Sequence, residues 1–78
     1  MHGKTVLAFL PEKKKAKIIE INSGHQMHHR LNVMGLRKGQ IVEIISKQPF
    51  MGPLTISTGK NNITIGRGMA HKIIVEEI

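Results

Sequence analysis

Three histidines stand close together at positions 25, 28 and 29, and histidine is the commonest side chain to bind a transition metal. On a helix, His25 and His29 would lie one turn apart on the same face, a spacing that can chelate a divalent ion. Two imidazoles are half of a usual ligand set, and no carboxylate or thiolate stands beside them. We interpret the pair as exposed polar residues, with weak binding of a divalent transition metal as the alternative hypothesis.

The carboxylates offer little for acid–base catalysis, since none pairs with a histidine in the pattern of a general acid and base. The five acids are Glu12, Glu20, Glu43, Glu76 and Glu77. No serine lies in a nucleophile elbow, and no glycine-rich phosphate loop is present. The chain has no cysteine, which excludes disulfides and thiolate metal sites. We therefore expect no enzymatic activity and no resident cofactor.

The length and charge of the chain limit the kinds of protein that it can be. The 78 residues are enough for one small domain, which we expect to span residues 1–78, with 1–6 loosely ordered. The longest apolar run, residues 6–10, is too short for a membrane span or a signal peptide, so we expect a soluble intracellular protein. The net charge of +7 favours acidic partners: nucleic acid, anionic lipid or an acidic protein face.

Short β-branched runs predict five strands, at residues 15–21, 40–46, 54–59, 61–66 and 73–78. The first run alternates imperfectly, which indicates a bulge or a strand buried on both faces. Residues 67–72 are expected to form a single helical turn, and Leu7, Phe9 and Leu10 to serve as apolar anchors of an extended lead. Several short strands in so small a chain predict a mainly β fold, a small barrel.

One helix is predicted after the first strand. Ser23 and Gln26 fit a capping box, and Met27, Leu31 and Met34 recur with helical spacing. Gly35 then fits the left-handed position that ends a helix. Structural turns are predicted at Gly35, Gly39, Gly52, Pro53, Gly59 and Gly66.

The loop at residues 47–53 places apolar Phe50 and Met51 where solvent normally selects polar side chains. One interpretation is that Phe50 covers the open end of the barrel. The other is a partner-docking face made of Phe50 and Met51 and flanked by Arg37 and Lys38. The residue types favour neither.

A longer pattern covers most of the chain, namely Arg30-Leu31, Met34-Gly35-Leu36, Gly39, Ile41 to Ile45, Gly52-Pro53-Leu54, Ile63 to Gly66, Ala70, Ile73 and Val75. Over residues 7–78 it resembles the ferrous iron transport protein A (FeoA) family. The resemblance implies an SH3-like barrel, also similar to the C-terminal domains of iron- and manganese-dependent repressors. One departure is that residues 12–17 replace the proline-glycine turn that commonly precedes the family's first strand.

The resemblance implies a cytoplasmic accessory of ferrous iron uptake and iron homeostasis. The implied partner is the ferrous iron permease, FeoB, on whose cytoplasmic side the protein would dock and modulate transport or GTP hydrolysis, helped by the anionic membrane surface. The resemblance sets no oligomeric state. The first alternative is a basic nucleic-acid-binding barrel, which we do not expect because two phenylalanines make a poor base-stacking platform. The second is a metal-binding regulatory domain, although fifteen residues ahead of the barrel cannot form a helix-turn-helix.

Overall fold

The computed structural model describes residues 3–22, 24, 29, 32 and 35–78. Within these residues, six strands form one antiparallel sheet: β1 (Lys4–Val6), β2 (Lys15–Ile21), β3 (Ile41–Lys47), β4 (Leu54–Ser57), β5 (Asn62–Ile65) and β6 (Ile73–Glu77). A 3₁₀ turn, η1 (Leu7–Phe9), follows β1, and a one-turn helix, α1 (Arg67–Ala70), precedes β6. The mainly β prediction is confirmed, with one strand more than expected because Lys4–Val6 pairs with β6.

The strands follow the order β1-β6-β2-β3-β4-β5 across the sheet. The two long strands, β2 and β3, each shift register once, between Ile18 and Glu20 and between Ile44 and Ser46. An extra residue on one strand bends it and increases its twist, so the two bulges curl the sheet into the expected small barrel. The bulge at Ile19 also explains the imperfect alternation of the first run.

The described part of the core consists of aliphatic side chains. Among the described residues, the largest that are fully buried include Leu7, Leu10, Ile18, Leu36, Ile44, Leu54, Ile56 and Ile73. Those in strands occupy alternate positions, as a sheet with one buried face requires, whereas Leu7 and Leu10 come from η1 and its end and Leu36 from the connection before β3. Neither phenylalanine belongs to this core.

The helix predicted between β2 and β3 falls mostly on residues outside those that the structure describes. His29 and Asn32 have helical backbone, and the Gly35 amide donates to the Asn32 carbonyl at 3.0 Å. Gly35 has a φ of +95° and Gly39 a φ of +86°. At these values the backbone of any residue with a side chain would be strained. The Gly39 amide donates to the Ile18 carbonyl at 2.7 Å, which fixes this turn to β2 just before β3 begins.

Candidate functional site

The tip loop, residues 48–53, carries the most exposed apolar side chains of the described chain. Phe50 is 99% exposed and Met51 is 67% exposed. Both have left-handed backbone, with φ of +58° and +62°, which costs a residue with a side chain about 1 kcal/mol. Phe50 therefore does not cover the end of the barrel. The loop holds two bulky apolar side chains in solvent at an energetic cost.

Arg67 of α1 fixes the shape of the tip loop. Its Nε donates to the Gly52 carbonyl and its Nη2 to the Gln48 carbonyl, both at 3.0 Å. The loop also closes on itself, since the Gln48 amide donates to the Pro53 carbonyl at 3.0 Å and the Gly52 amide to the Pro49 carbonyl at 3.1 Å. Hydrogen bonds from a charged donor are the stronger kind. The loop is thus preorganised around Phe50 and Met51.

Phe9 lies at the same end of the barrel. Lys47, the last residue of β3, donates from Nζ to the carbonyls of Ala8 at 2.9 Å and Leu10 at 3.2 Å, which places η1 beside the start of the tip loop. Phe9 is 67% exposed, and its ring meets His71 edge-on with centroids 5.3 Å apart. The expectation that Phe9 anchors the lead was wrong, because Leu7 and Leu10 fill the core and turn Phe9 outward.

Phe9, Phe50 and Met51 together define what we call the apolar end. Among the described residues only aliphatic side chains are buried, and both phenylalanines of the chain are exposed at this end. Aromatic side chains bury more area than any other when a partner covers them, and they dominate the energetics of protein interfaces. The apolar end is therefore the strongest candidate for a binding surface in the part of the chain that the structure describes.

Gly52 is the one residue of the tip loop with no room for a side chain. A Cβ added there would lie 2.8 Å from the Gln48 Cβ and 3.1 Å from the Pro49 carbonyl oxygen. We expect Gly52→Ala to lower the unfolding free energy by about 1–2 kcal/mol and to displace the loop, as overpacking does. Gly68→Ala is the control, since its Cβ meets nothing within 4 Å. Denaturant unfolding of both variants checks this, and equal stability of Gly52→Ala and the wild type would contradict it.

Arg37 and Lys38 lie elsewhere on the molecule. They occupy the turn before β3, whereas the tip loop follows β3, and seven strand residues span about 20 Å. Both side chains are exposed and line a shallow hollow together with Gly39 and Gln40. The structure does not bring them together with Phe50 and Met51, so the predicted docking face consists of two separate surfaces.

The histidine pair is only partly described. His29 is helical and exposed, while His25 and His28 lie outside the described residues. Within residues 3–22, 24, 29, 32 and 35–78, no group of three or more metal-binding side chains is present. The metal hypothesis for His25 and His29 stays a prediction.

Titration of the protein with Zn²⁺ in a calorimeter tests this pair. We expect no saturable binding at one ion per chain, because two imidazoles leave a tetrahedral site half filled. The double variant His25→Ala, His29→Ala is then expected to give the same heats as the wild type. Stoichiometric binding that the double variant loses would contradict the interpretation as exposed polar residues.

Glu12 and Glu77 each have a partner among the residues that the structure describes. Glu12 accepts a hydrogen bond from the Lys47 amide at 2.8 Å, and Glu77 lies 3.6 Å from the Lys14 ammonium. Lys47 and Arg67, the two cations that shape the apolar end, are not among the site residues predicted from the sequence. The only feature of the sequence that marks Arg67 is its position between two glycines, Gly66 and Gly68.

Among the described residues, no helix is long and apolar enough to cross a membrane.

Comparison with known proteins decides the family. The model of the FeoA domain matches residues 5–77. The chain belongs to the FeoA domain family. A Methanocaldococcus jannaschii protein named as an Fe(2+) transport protein A is 41% identical over 71 residues, covering 91% of this chain and 84% of that protein. The resemblance seen over residues 7–78 is thereby confirmed.

Solved structures agree with the FeoA assignment. A crystal structure described as an iron uptake regulatory protein (FeoA) superposes with a TM-score of 0.90 at 29% identity, covering 97% of this chain and 100% of that one. A manganese-dependent transcriptional repressor superposes with a TM-score of 0.89 at 14% identity, covering all of this chain and 44% of that one. The repressor shares the fold alone. The SH3-like barrel of the FeoA family is therefore the architecture of this chain.

Proposed function

We propose that this FeoA-family protein is a non-catalytic, cytoplasmic accessory of ferrous iron uptake. It docks on the cytoplasmic side of the ferrous iron permease, FeoB, and modulates its transport or its GTP hydrolysis. Membership of a family of ferrous iron transport proteins supports the process. The observation that carries docking is the apolar end, where Arg67 holds a loop that exposes Phe50 almost completely.

Preorganisation is the physical reason to assign docking to the tip loop. Ordering a flexible loop at an interface costs free energy, which is subtracted from the affinity. Here the two carbonyl bonds from Arg67 and the two internal loop bonds have already ordered the backbone. Phe50 and Met51 can therefore enter a pocket of the partner with little further loss of loop entropy.

Electrostatic attraction would speed the association of the protein with its partner. Residues 44–75 contain no acid, and two cations of this stretch, Lys47 and Arg67, lie at the apolar end, where Glu12 is the acid that meets the Lys47 amide. A cationic surface around an apolar contact raises the rate of association with an acidic partner face and with the anionic inner leaflet. Arg37 and Lys38, near the other end of β3, form a second contact in this proposal. Docking of this kind requires no cofactor, and ferrous iron is the cargo of the permease.

The test is binding of the protein to the purified cytoplasmic region of its cognate ferrous permease, with the GTPase rate recorded alongside. We expect binding that weakens as salt is raised, because screening shortens the reach of the exposed charges. A single-stranded oligonucleotide in the same assay is expected not to bind. Absence of permease binding, with the full-length permease also negative, would overturn the proposal. Oligonucleotide binding that falls steeply with salt would support the nucleic-acid alternative instead.

A further inference from the structure

β5 is an outer strand of the sheet and pairs with β4 alone. The Thr58 amide donates to the Asn61 carbonyl at 2.9 Å, so these two residues form a hydrogen-bonded pair at the turn. In an antiparallel ladder every second pair is of this kind. Counting along the register from there, Ile63 and Ile65 exchange ladder bonds with Ile56 and Leu54.

Asn62 and Thr64 occupy the alternate positions, opposite Ser57 and Thr55. In such positions the side chains lie closer together, and the hydroxyls of Thr55 and Thr64 are 3.1 Å apart. The amides and carbonyls of Asn62 and Thr64 therefore point away from β4.

This edge is open. Outside the strand ladders, no backbone hydrogen bond of the described residues involves Asn62 or Thr64, and both residues are exposed. Natural sheets protect their edges with charged side chains, prolines and bulges. β5 has none of these, since its four residues are Asn-Ile-Thr-Ile and its register with β4 is regular. The other edge strand, β1, is one residue shorter and carries Lys4.

The charge near the β5 edge indicates which kind of molecule this edge binds. β4, β5 and the turn between them carry one charged side chain, Lys60, on a chain whose net charge is +7. The nearest acid along the sheet, Glu43, lies one strand further in, opposite Ser57 of β4. A second copy of the chain would bring a second Lys60 and a second net positive charge to the edge, and like charges across an interface oppose association. We propose that the β5 edge binds an extended acidic peptide segment as an added strand. The main-chain groups of Asn62 and Thr64 hold the peptide, and one of its carboxylates faces Lys60.

The test uses a short synthetic peptide of alternating valine and glutamate, titrated into the labelled protein and followed by amide NMR. We expect shifts concentrated at Asn62–Ile65 and Lys60. Thr64→Pro removes an outward amide without breaking a bond to β4, since proline is tolerated on the open side of an edge strand. It should weaken binding about fivefold or more, the loss of one hydrogen bond. Thr64→Val, which keeps the amide, should bind as the wild type does.

A second measurement leaves the protein unchanged. The peptide is N-methylated at one set of alternate residues or at the other, and only the set that faces β5 should abolish binding. A peptide with lysine in place of glutamate should not bind. Shifts confined to the tip loop, equal effects of the two methylated sets, or equal binding of the lysine peptide would overturn the proposal. Self-association of the free protein that Thr64→Pro abolishes would also overturn it, and would assign the edge to a second copy.

Discussion

Replacing Phe50 and Met51 together with alanine is expected to weaken binding to the permease's cytoplasmic region by about thirtyfold or more, the loss typical of an interface hot spot. The melting temperature should stay unchanged. Phe50 is 99% exposed and Met51 67% exposed, so truncation removes little buried area. The Cβ atoms remain, so the left-handed backbone is neither relieved nor further strained. Calorimetric titration and thermal unfolding of the double variant measure the two quantities.

Ile41→Ala is the matched control for this variant. Ile41 is also an exposed apolar side chain, at 51%, but it begins β3 whereas the tip loop follows the end of that strand. We expect the control to weaken binding far less than the double variant does, because Ile41 lies beside the second contact at Arg37 and Lys38 and not at the apolar end. Equal losses in the two variants would show a general hydrophobic effect. Unchanged binding of the double variant would remove the apolar end from the docking surface.

Replacing Arg67 with alanine is expected to reduce both stability and docking. The variant loses two hydrogen bonds from a charged donor to the carbonyls of Gly52 and Gln48. Since one of the two bonds is exposed, we expect a loss of about 1–2 kcal/mol in unfolding free energy, or roughly 5–10 °C in melting temperature for a domain of this size. Docking should weaken about fivefold, because the freed loop must be ordered on binding.

Arg67→Lys separates geometry from charge. Lysine keeps the positive charge but offers a single flexible ammonium in place of the planar fork that reaches two carbonyls. We expect it to lose affinity for the permease nearly as Arg67→Ala does. Lys72→Ala, which removes a cation from the same acid-free stretch without touching the tip loop, should cause a smaller, salt-dependent loss. Wild-type affinity of Arg67→Lys would show that charge, and not loop geometry, matters at position 67.

The strands were predictable because their signal is local. The run at residues 15–21 coincides with β2, and the other four runs differ from β3 to β6 by one or two residues at their ends. β-branched residues at every second position, bounded by glycine and proline, define such strands without reference to the rest of the chain. β1 could not be predicted from the sequence, because three residues are too few to show alternation. Its partner strand, β6, also lies at the far end of the sequence.

The assembly of the apolar end could not be read from the sequence. It depends on contacts between residues far apart in the chain, from Arg67 to Gln48 and from Lys47 to Ala8. Residue types say that Phe9 and Phe50 are apolar, but only the packing of the aliphatic core shows that both remain outside it. For the same reason Arg37 and Lys38 were grouped with the tip loop, although the length of β3 separates them.

We proposed that the protein modulates the permease through its apolar end, and ferrous iron transport into vesicles that contain the permease measures this modulation. Transport is measured for the permease alone, with the wild-type protein added, and with the Phe50→Ala, Met51→Ala variant added at the same concentration. We expect the wild-type protein to change the transport rate at saturating GTP, and the double variant to leave the rate at the value of the permease alone. An identical transport rate with and without the wild-type protein would mean that the protein does not modulate the permease.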